Sequence, residues 1–194
     1  MTLDLFLEIL GFSVGLLYLY WEYQADAKVW LASVVMPMIS MWIYFSKGLY
    51  ADFGINIYYL VIAVYGFIAW TRGTSKAKKS KEKPLKITRT PFKVWVGVAF
   101  MAALLWIGIW WILSTFTDST VPVADAFTTA LSIIGLWMLA RKFAEQWLVW
   151  LVVDAVCVGL YIYKGIYFYA ALYAAYTVIA WFGYRKWLRL MHAQ

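Results

Sequence analysis

The chain alternates long apolar runs with short polar interruptions. The runs approach the ~20 residues an α-helix needs to cross a hydrocarbon core. Seven are read: Leu3–Trp21, Val29–Ser46, Asp52–Trp70, Phe92–Phe116, Ala124–Ala140, Gln146–Tyr163 and Ile166–Trp187. Pro91 opens the fourth, where its missing N–H does no harm. Lys47-Gly48 and Lys164-Gly165 read as tight turns. The pattern predicts an all-α integral membrane protein of seven transmembrane helices.

A repeat lies within it. At an offset of 117 residues, Trp30, Tyr44, Lys47-Gly48, Tyr50 and Tyr59 meet Trp147, Tyr161, Lys164-Gly165, Tyr167 and Tyr176. Val61-Ile62-Ala63, Gly66, Trp70 and Arg72 meet Val178-Ile179-Ala180, Gly183, Trp187 and Arg189. Residues 30–72 and 147–189 share 14 identities over 43 ungapped positions. The first helices align less well: Gly15-Leu16 meets Gly135-Leu136 only if the following loop shortens by three residues. Helices 1–3 and 5–7 therefore read as copies. Three spans invert direction, and one extra helix restores it, so the expected architecture is a parallel 3+1+3 repeat of SWEET-like plan. Such transporters bind substrate at the repeat interface near the midplane and rock around it. The expected divisions are 1–72 for the first bundle, 73–123 for a basic loop and linker helix, and 124–194 for the second bundle and tail.

Composition agrees with the pattern. Hydrophobic residues make up 65% of 194 and charged residues 14%, whereas soluble domains are about half apolar and a quarter charged. The net charge of +7 is concentrated: nine Lys/Arg fall between Arg72 and Lys93, against Glu82 alone. A nucleic-acid patch is the sharper reading of that run, and a loop beside anionic lipid the simpler and favoured one. Positive loops mark the cytoplasmic side, which puts the C-terminus inside and the N-terminus outside a cytoplasmic (inner) membrane. The first run lacks a basic flank, since Asp4 and Glu8 stand there, and is expected to remain as a helix. One cysteine, Cys157, excludes an internal disulfide. One histidine, His192 in the tail, and no metal-ligand cluster argue against an enzyme. No cofactor is expected.

Candidate chemistry lies where the copies differ. Trp150 stands opposite Ser33, Asp154 opposite Pro37, and Tyr173 opposite Asn56. Gln146, Trp150 and Asp154 are spaced i, i+4, i+8 and share one helix face, with Tyr161 seven residues beyond Asp154. Asp154 sits eight residues into its span, about 12 Å deep at 1.5 Å per residue. A carboxylate there costs about 2.5–3.5 kcal/mol on insertion scales, so it is expected to face a cavity or a partner. An aromatic face beside a carboxylate suits a flat organic cation. The candidate substrate-binding residues are Gln146, Trp147, Trp150, Asp154, Asn56, Tyr59, Tyr161 and Tyr173. The simpler readings stand beside them. Trp147 is as well explained by packing or an interfacial belt, and for Trp30, Trp70 and Trp187 the belt is the favoured reading. Asn56 also suits interhelical glue, and Asp154 a proton relay or a buried neutral carboxyl, with ligand contact favoured over both. Glu22, near a span end, reads as solvated. Gly135, Gly159 and Gly183 suit close helix approach, and Pro37 a kink.

"EQWLVW" with "VVDAV" in the sixth span, "KGLYADFGINIYY" and "VYGFIAW" in the third, and "ARKFAEQW" before the sixth resemble the Pnu vitamin transporters. That family has nicotinamide riboside and thiamine branches. The likeness covers almost the whole chain and includes W-x-x-W at Trp147 and Trp150. It implies a homotrimer importing an unphosphorylated vitamin by facilitated diffusion, with a cytoplasmic kinase trapping the cargo. It also implies substrate held between the bundles against the W-x-x-W residues. The nicotinamide riboside branch carries Asn in place of Asp154 and Asn-Trp in place of Gln146-Trp147, so the likeness leans to thiamine. Both vitamins are cationic aromatics. The competing classes are a proton-coupled symporter using Asp154 and a sugar carrier, whose sites rarely need a central carboxylate.

Overall fold

The computed structural model describes residues 14–46, 50–72 and 85–194, without the side chains of 36, 39, 40, 42–46 and 50–54. Asp4, Glu8, the Lys47-Gly48 turn and residues 73–84 of the basic loop lie outside the described residues. Among the described residues seven helices follow in order: α1 (residues 14–23), α2 (Val29–Ser46), α3 (Tyr50–Arg72), α4 (Phe92–Phe116), α5 (Pro122–Ala140), α6 (Gln146–Tyr163) and α7 (Tyr167–His192). The apolar pattern alone gives the bounds of α2, α4 and α6. α7 runs past the expected Trp187, because Leu188 to His192 contains no breaker and Arg189 and His192 lie in the last turn, where cations suit the helix dipole. Ile55–Arg72, Phe92–Phe116, Pro122–Ala140 and Gln146–Tyr163 are long and apolar enough to cross a membrane.

The chain divides into two compact units, Met1–Leu85 and Lys86–Gln194. In the first, α2 packs on α3. Trp30 is buried where Gly66 leaves room, since a Cβ at residue 66 would overlap the indole. The indole meets Trp70 edge to face at 5.6 Å. α2 stays helical across Pro37. Glu22 is not solvated as its place near a span end suggests: it is 2% exposed and hydrogen-bonded by the Tyr18 hydroxyl. α1 ends just beyond it in a Schellman turn, with Asp26 N–H on Trp21 O at 2.9 Å and Ala25 N–H on Glu22 O at 3.0 Å. That turn keeps Glu22 on the helix instead of releasing it to water.

In the second unit α4 packs on α5, α5 on α6, and α6 on α7. Of the 25 residues of α4 only Val98 is buried. It sits with Ile134, Met138, Phe143 and Val149 in an apolar cluster, while Phe100, Trp110 and Trp111 are exposed. α6 stands between α5 and α7. Trp147 is seated on Gly183, where a Cβ would come within 2.7 Å of the indole, and meets Trp187 edge to face at 6.1 Å. This repeats, 117 residues on, the contacts of Trp30 with Gly66 and Trp70. The turn after α5 follows the same offset. Lys142 has φ 60° where Ala25 has φ 55°, and Phe143 N–H reaches Met138 O at 3.0 Å. The helix ends thus keep the 117-residue spacing with no gap.

The arrangement gathers Lys86, Arg89, Lys93, Arg141, Lys142, Arg185, Lys186 and Arg189 at one end of the second unit, near the starts of α4 and α6 and the ends of α5 and α7. That end is laced by hydrogen bonds. Thr88 pairs with the α5–α6 turn through its N–H to Lys142 O (3.2 Å) and its carbonyl from Ala144 N–H (3.0 Å). Ile87 N–H donates to the Gln194 side chain at 3.0 Å.

Gly183→Ala is expected to cost about 1–3 kcal/mol, because a buried indole has to leave its seat. Gly159→Ala, whose Cβ meets nothing within 4 Å, is expected to stabilise by about 0.5–1 kcal/mol, the helix-propensity gain over glycine. Thermal unfolding of the two detergent-solubilised variants measures the difference.

Candidate functional site

At 100° per residue, Gln146, Trp150, Asp154, Cys157 and Tyr161 fall within an arc of about 80° on α6. Gln146 is fully buried, Asp154 is 7% exposed and Cys157 is 9% exposed. This is the polar and aromatic face expected from the spacing of Gln146, Trp150, Asp154 and Tyr161. The two tryptophans of W-x-x-W point to different neighbours. Trp147 packs against α7 through Gly183 and Trp187, as above. Trp150 packs toward α5, where a Cβ at Gly135 would lie 3.2 Å from its indole. Gly135 and Gly183 thus admit the two indoles, while Gly159 admits none.

Several polar groups on this face lack partners. Among the described residues, neither the amide oxygen nor the amide nitrogen of Gln146 has a hydrogen-bond partner, and the Trp147 and Trp150 indole N–H groups have none. The Asp154 carboxylate likewise makes no hydrogen bond or ion pair among the described residues. Buried polar atoms are paired in the great majority of structures, so each exception calls for an explanation. The part-buried hydroxyls of α5 differ. Those of Thr128, Thr129 and Ser132 donate to carbonyls of their own helix at 2.8–3.1 Å.

α7 completes the aromatic surface. Tyr161 stacks on Tyr173 at 5.2 Å and 25° and on Tyr169 at 5.3 Å and 27°. Tyr173 meets Tyr176 edge to face at 5.7 Å. Tyr173 and Tyr176 both lie within the electrostatic range of Asp154. A flat ring beside such a row gains stacking contacts, and a cation gains attraction to ring faces and to the carboxylate.

Gln146, Trp150, Asp154 and Tyr161 share one face of α6 along its length, and Tyr173 of α7 meets that face through its stack on Tyr161. The structure makes Trp147 a packing residue of the α6–α7 contact, like its counterpart Trp30. Asn56, 8% exposed, and Tyr59, whose ring lies 5.9 Å from that of Tyr58, belong to the first unit. Sequence reasoning passed over Tyr169, although it precedes Tyr173 by one helical turn. It also passed over Glu145. That carboxylate, 7% exposed, accepts both the N–H (2.8 Å) and the hydroxyl (2.9 Å) of Thr90. The partners are 55 residues apart, and no periodicity connects them.

The chain matches the family described as nicotinamide mononucleotide transporter over residues 5–189. It is 24% identical to the nicotinamide riboside transporter PnuC of Escherichia coli (strain K12), over 75% of this chain and 70% of that protein. It is 25% identical to the riboflavin/roseoflavin transporter RibM of Streptomyces davaonensis, over 93% of this chain and 83% of that protein. Its fold resembles the crystal structure of the vitamin B3 transporter PnuC, with a TM-score of 0.65, 19% identity, and coverage of 93% of this chain and 79% of that one. These relatives are transporters, not enzymes.

Gln146→Leu removes two buried, unpartnered polar atoms at nearly constant volume. The substrate-free variant is expected to unfold at a higher temperature than wild type, by the equivalent of about 1–3 kcal/mol. Thermal unfolding without ligand checks this.

Proposed function

We propose that this chain, which belongs to the nicotinamide mononucleotide transporter family, carries a flat, cationic, unphosphorylated vitamin across the cytoplasmic membrane. The observation that carries this reading is the Asp154 carboxylate, which has no hydrogen bond or ion pair among the described residues and stands midway along α6 beside a row of stacked tyrosines. Nicotinamide riboside is the cation named among the relatives. Thiamine is the cation favoured by Gln146 and Asp154, which stand where the nicotinamide riboside branch carries asparagines. In either case Asp154 meets the positive charge, and Trp150, Tyr161 and Tyr173 supply ring faces. Gln146 offers one donor and one acceptor edge to the amide or amine of the heterocycle, and those contacts then satisfy its buried amide.

The rest of the reading follows from it. Seven spans form a parallel 3+1+3 repeat, with the basic end of α4–α7 in the cytoplasm and the N-terminus outside. Movement is facilitated diffusion, since a fixed countercharge for a cationic cargo requires no coupling ion. A cytoplasmic kinase retains the product, whose phosphate cancels the charge that Asp154 reads. The working assembly is a homotrimer. Proton symport through Asp154 is the alternative, and it makes uptake depend on a pH gradient.

Proteoliposomes loaded with unlabelled vitamin and given no ion gradient are expected to show counterflow of labelled nicotinamide riboside or thiamine; absence of both overturns the reading. In a thermal-shift panel, the transported vitamin is expected to stabilise the protein by about 2.7 kcal/mol at a hundredfold excess over its Kd. Asp154→Asn is expected to weaken cation binding about tenfold or more, a loss of about 1.4 kcal/mol, and to leave the response to uncharged riboflavin unchanged.

A further inference from the structure

At the end of the second unit away from its basic cluster, Asp125 in the first turn of α5 meets Lys164, which caps α6. The Lys164 ammonium donates to Oδ1 of Asp125 at 3.4 Å, and about a third of each side chain is exposed. The other carboxylate oxygen, Oδ2, accepts the Ser119 hydroxyl at 2.8 Å. The carboxylate is therefore anchored through one oxygen and offers the other to a cation. Lys164 makes no second ion pair among the described residues.

Lys164 of this pair caps the helix that carries Asp154. Asp154 and Lys164 are ten residues apart on one helix, about 15 Å at 1.5 Å per residue. Between them Tyr161 stacks on Tyr169 and Tyr173. At about 100° per residue Lys164 falls at the edge of the arc of α6 that carries Asp154, Cys157 and Tyr161. The two ends of the unit are held unequally. At the basic end, Glu145 and Thr90 are buried and joined by two short hydrogen bonds. At the other end Trp106 N–H donates to Val123 O at 2.9 Å and Ser119 holds Asp125, while the tie between α5 and the end of α6 is a part-exposed ion pair, a kind of contact that contributes little to stability.

We propose that Asp125 is an outlying cation subsite kept occupied by the Lys164 ammonium, and that a cationic cargo exchanges with Lys164 there on its way along the tyrosine row to Asp154. Lys164 then competes with the cargo, and Asp125 attracts it. This rests on the cationic-vitamin reading above.

The test uses the full-length chain in proteoliposomes, with labelled nicotinamide riboside and thiamine as probes. Removing the competitor in Lys164→Gln is expected to lower KM for the transported cation about two- to fivefold, the range of a part-exposed ion pair, while Lys164→Arg keeps the wild-type value. Removing the subsite in Asp125→Asn is expected to raise KM by a similar factor, and in that background Lys164→Gln has no further effect. A pair that only stabilises the fold moves both variants in the same direction, and that result overturns the proposal, as does a KM indifferent to Lys164. Melting temperatures of the variants verify that each is folded. A wild type that transports neither cation overturns the function reading and this proposal together. A wild type that transports one, with KM unmoved in Lys164→Gln, overturns the exchange alone.

Discussion

The Trp147 indole occupies space that any side chain at residue 183 would fill. A buried bicyclic ring seated on a glycine allows helices to approach closely and fixes the rotation of each about its own axis, because the ring has no second place to go. Trp187 closes the contact edge to face. With Trp147 held against α7, the residues one, three and seven positions away have their directions set. Gln146, Trp150 and Asp154 then share the neighbouring face, and Trp150 finds its own glycine on α5. The first unit uses the same device with Trp30, Gly66 and Trp70, which makes it scaffold in both places.

On that scaffold the polar groups are divided unevenly. The hydroxyls of α5 are satisfied by their own helix, a common solution where lipid offers no partners. The carboxylate of Glu145 is satisfied by Thr90. Gln146 and Asp154, within three turns of the same helix, are left without partners among the described residues. Unpaired groups destabilise the empty protein, and that is tolerable where a ligand supplies the missing bonds.

The stacked tyrosines link the two charged regions of α6. Tyr161 is stacked on Tyr169 and Tyr173, and Tyr173 meets Tyr176 edge to face, so aromatic contacts tie α6 to α7 along this stretch.

Sequence alone determined the helices, because runs of about 20 apolar residues have few alternatives in lipid, and three of the observed helices match their runs residue for residue. It also singled out Asp154, since a lone acid in such a run is costly wherever it points. The shared face of Gln146, Trp150 and Asp154 follows from helical spacing alone. Tertiary structure decided what each of those residues touches. Trp147 is a packing residue because Gly183, 36 positions away, lies beneath it. Glu22 is buried because the turn after α1 retains it and Tyr18 reaches it. Glu145 with Thr90 and Lys164 with Asp125 are pairs between distant parts of the chain. Helical periodicity is a local property and reports direction about one axis. Partnership depends on how neighbouring helices are rotated and spaced, and that is fixed by side chains meeting across the gap.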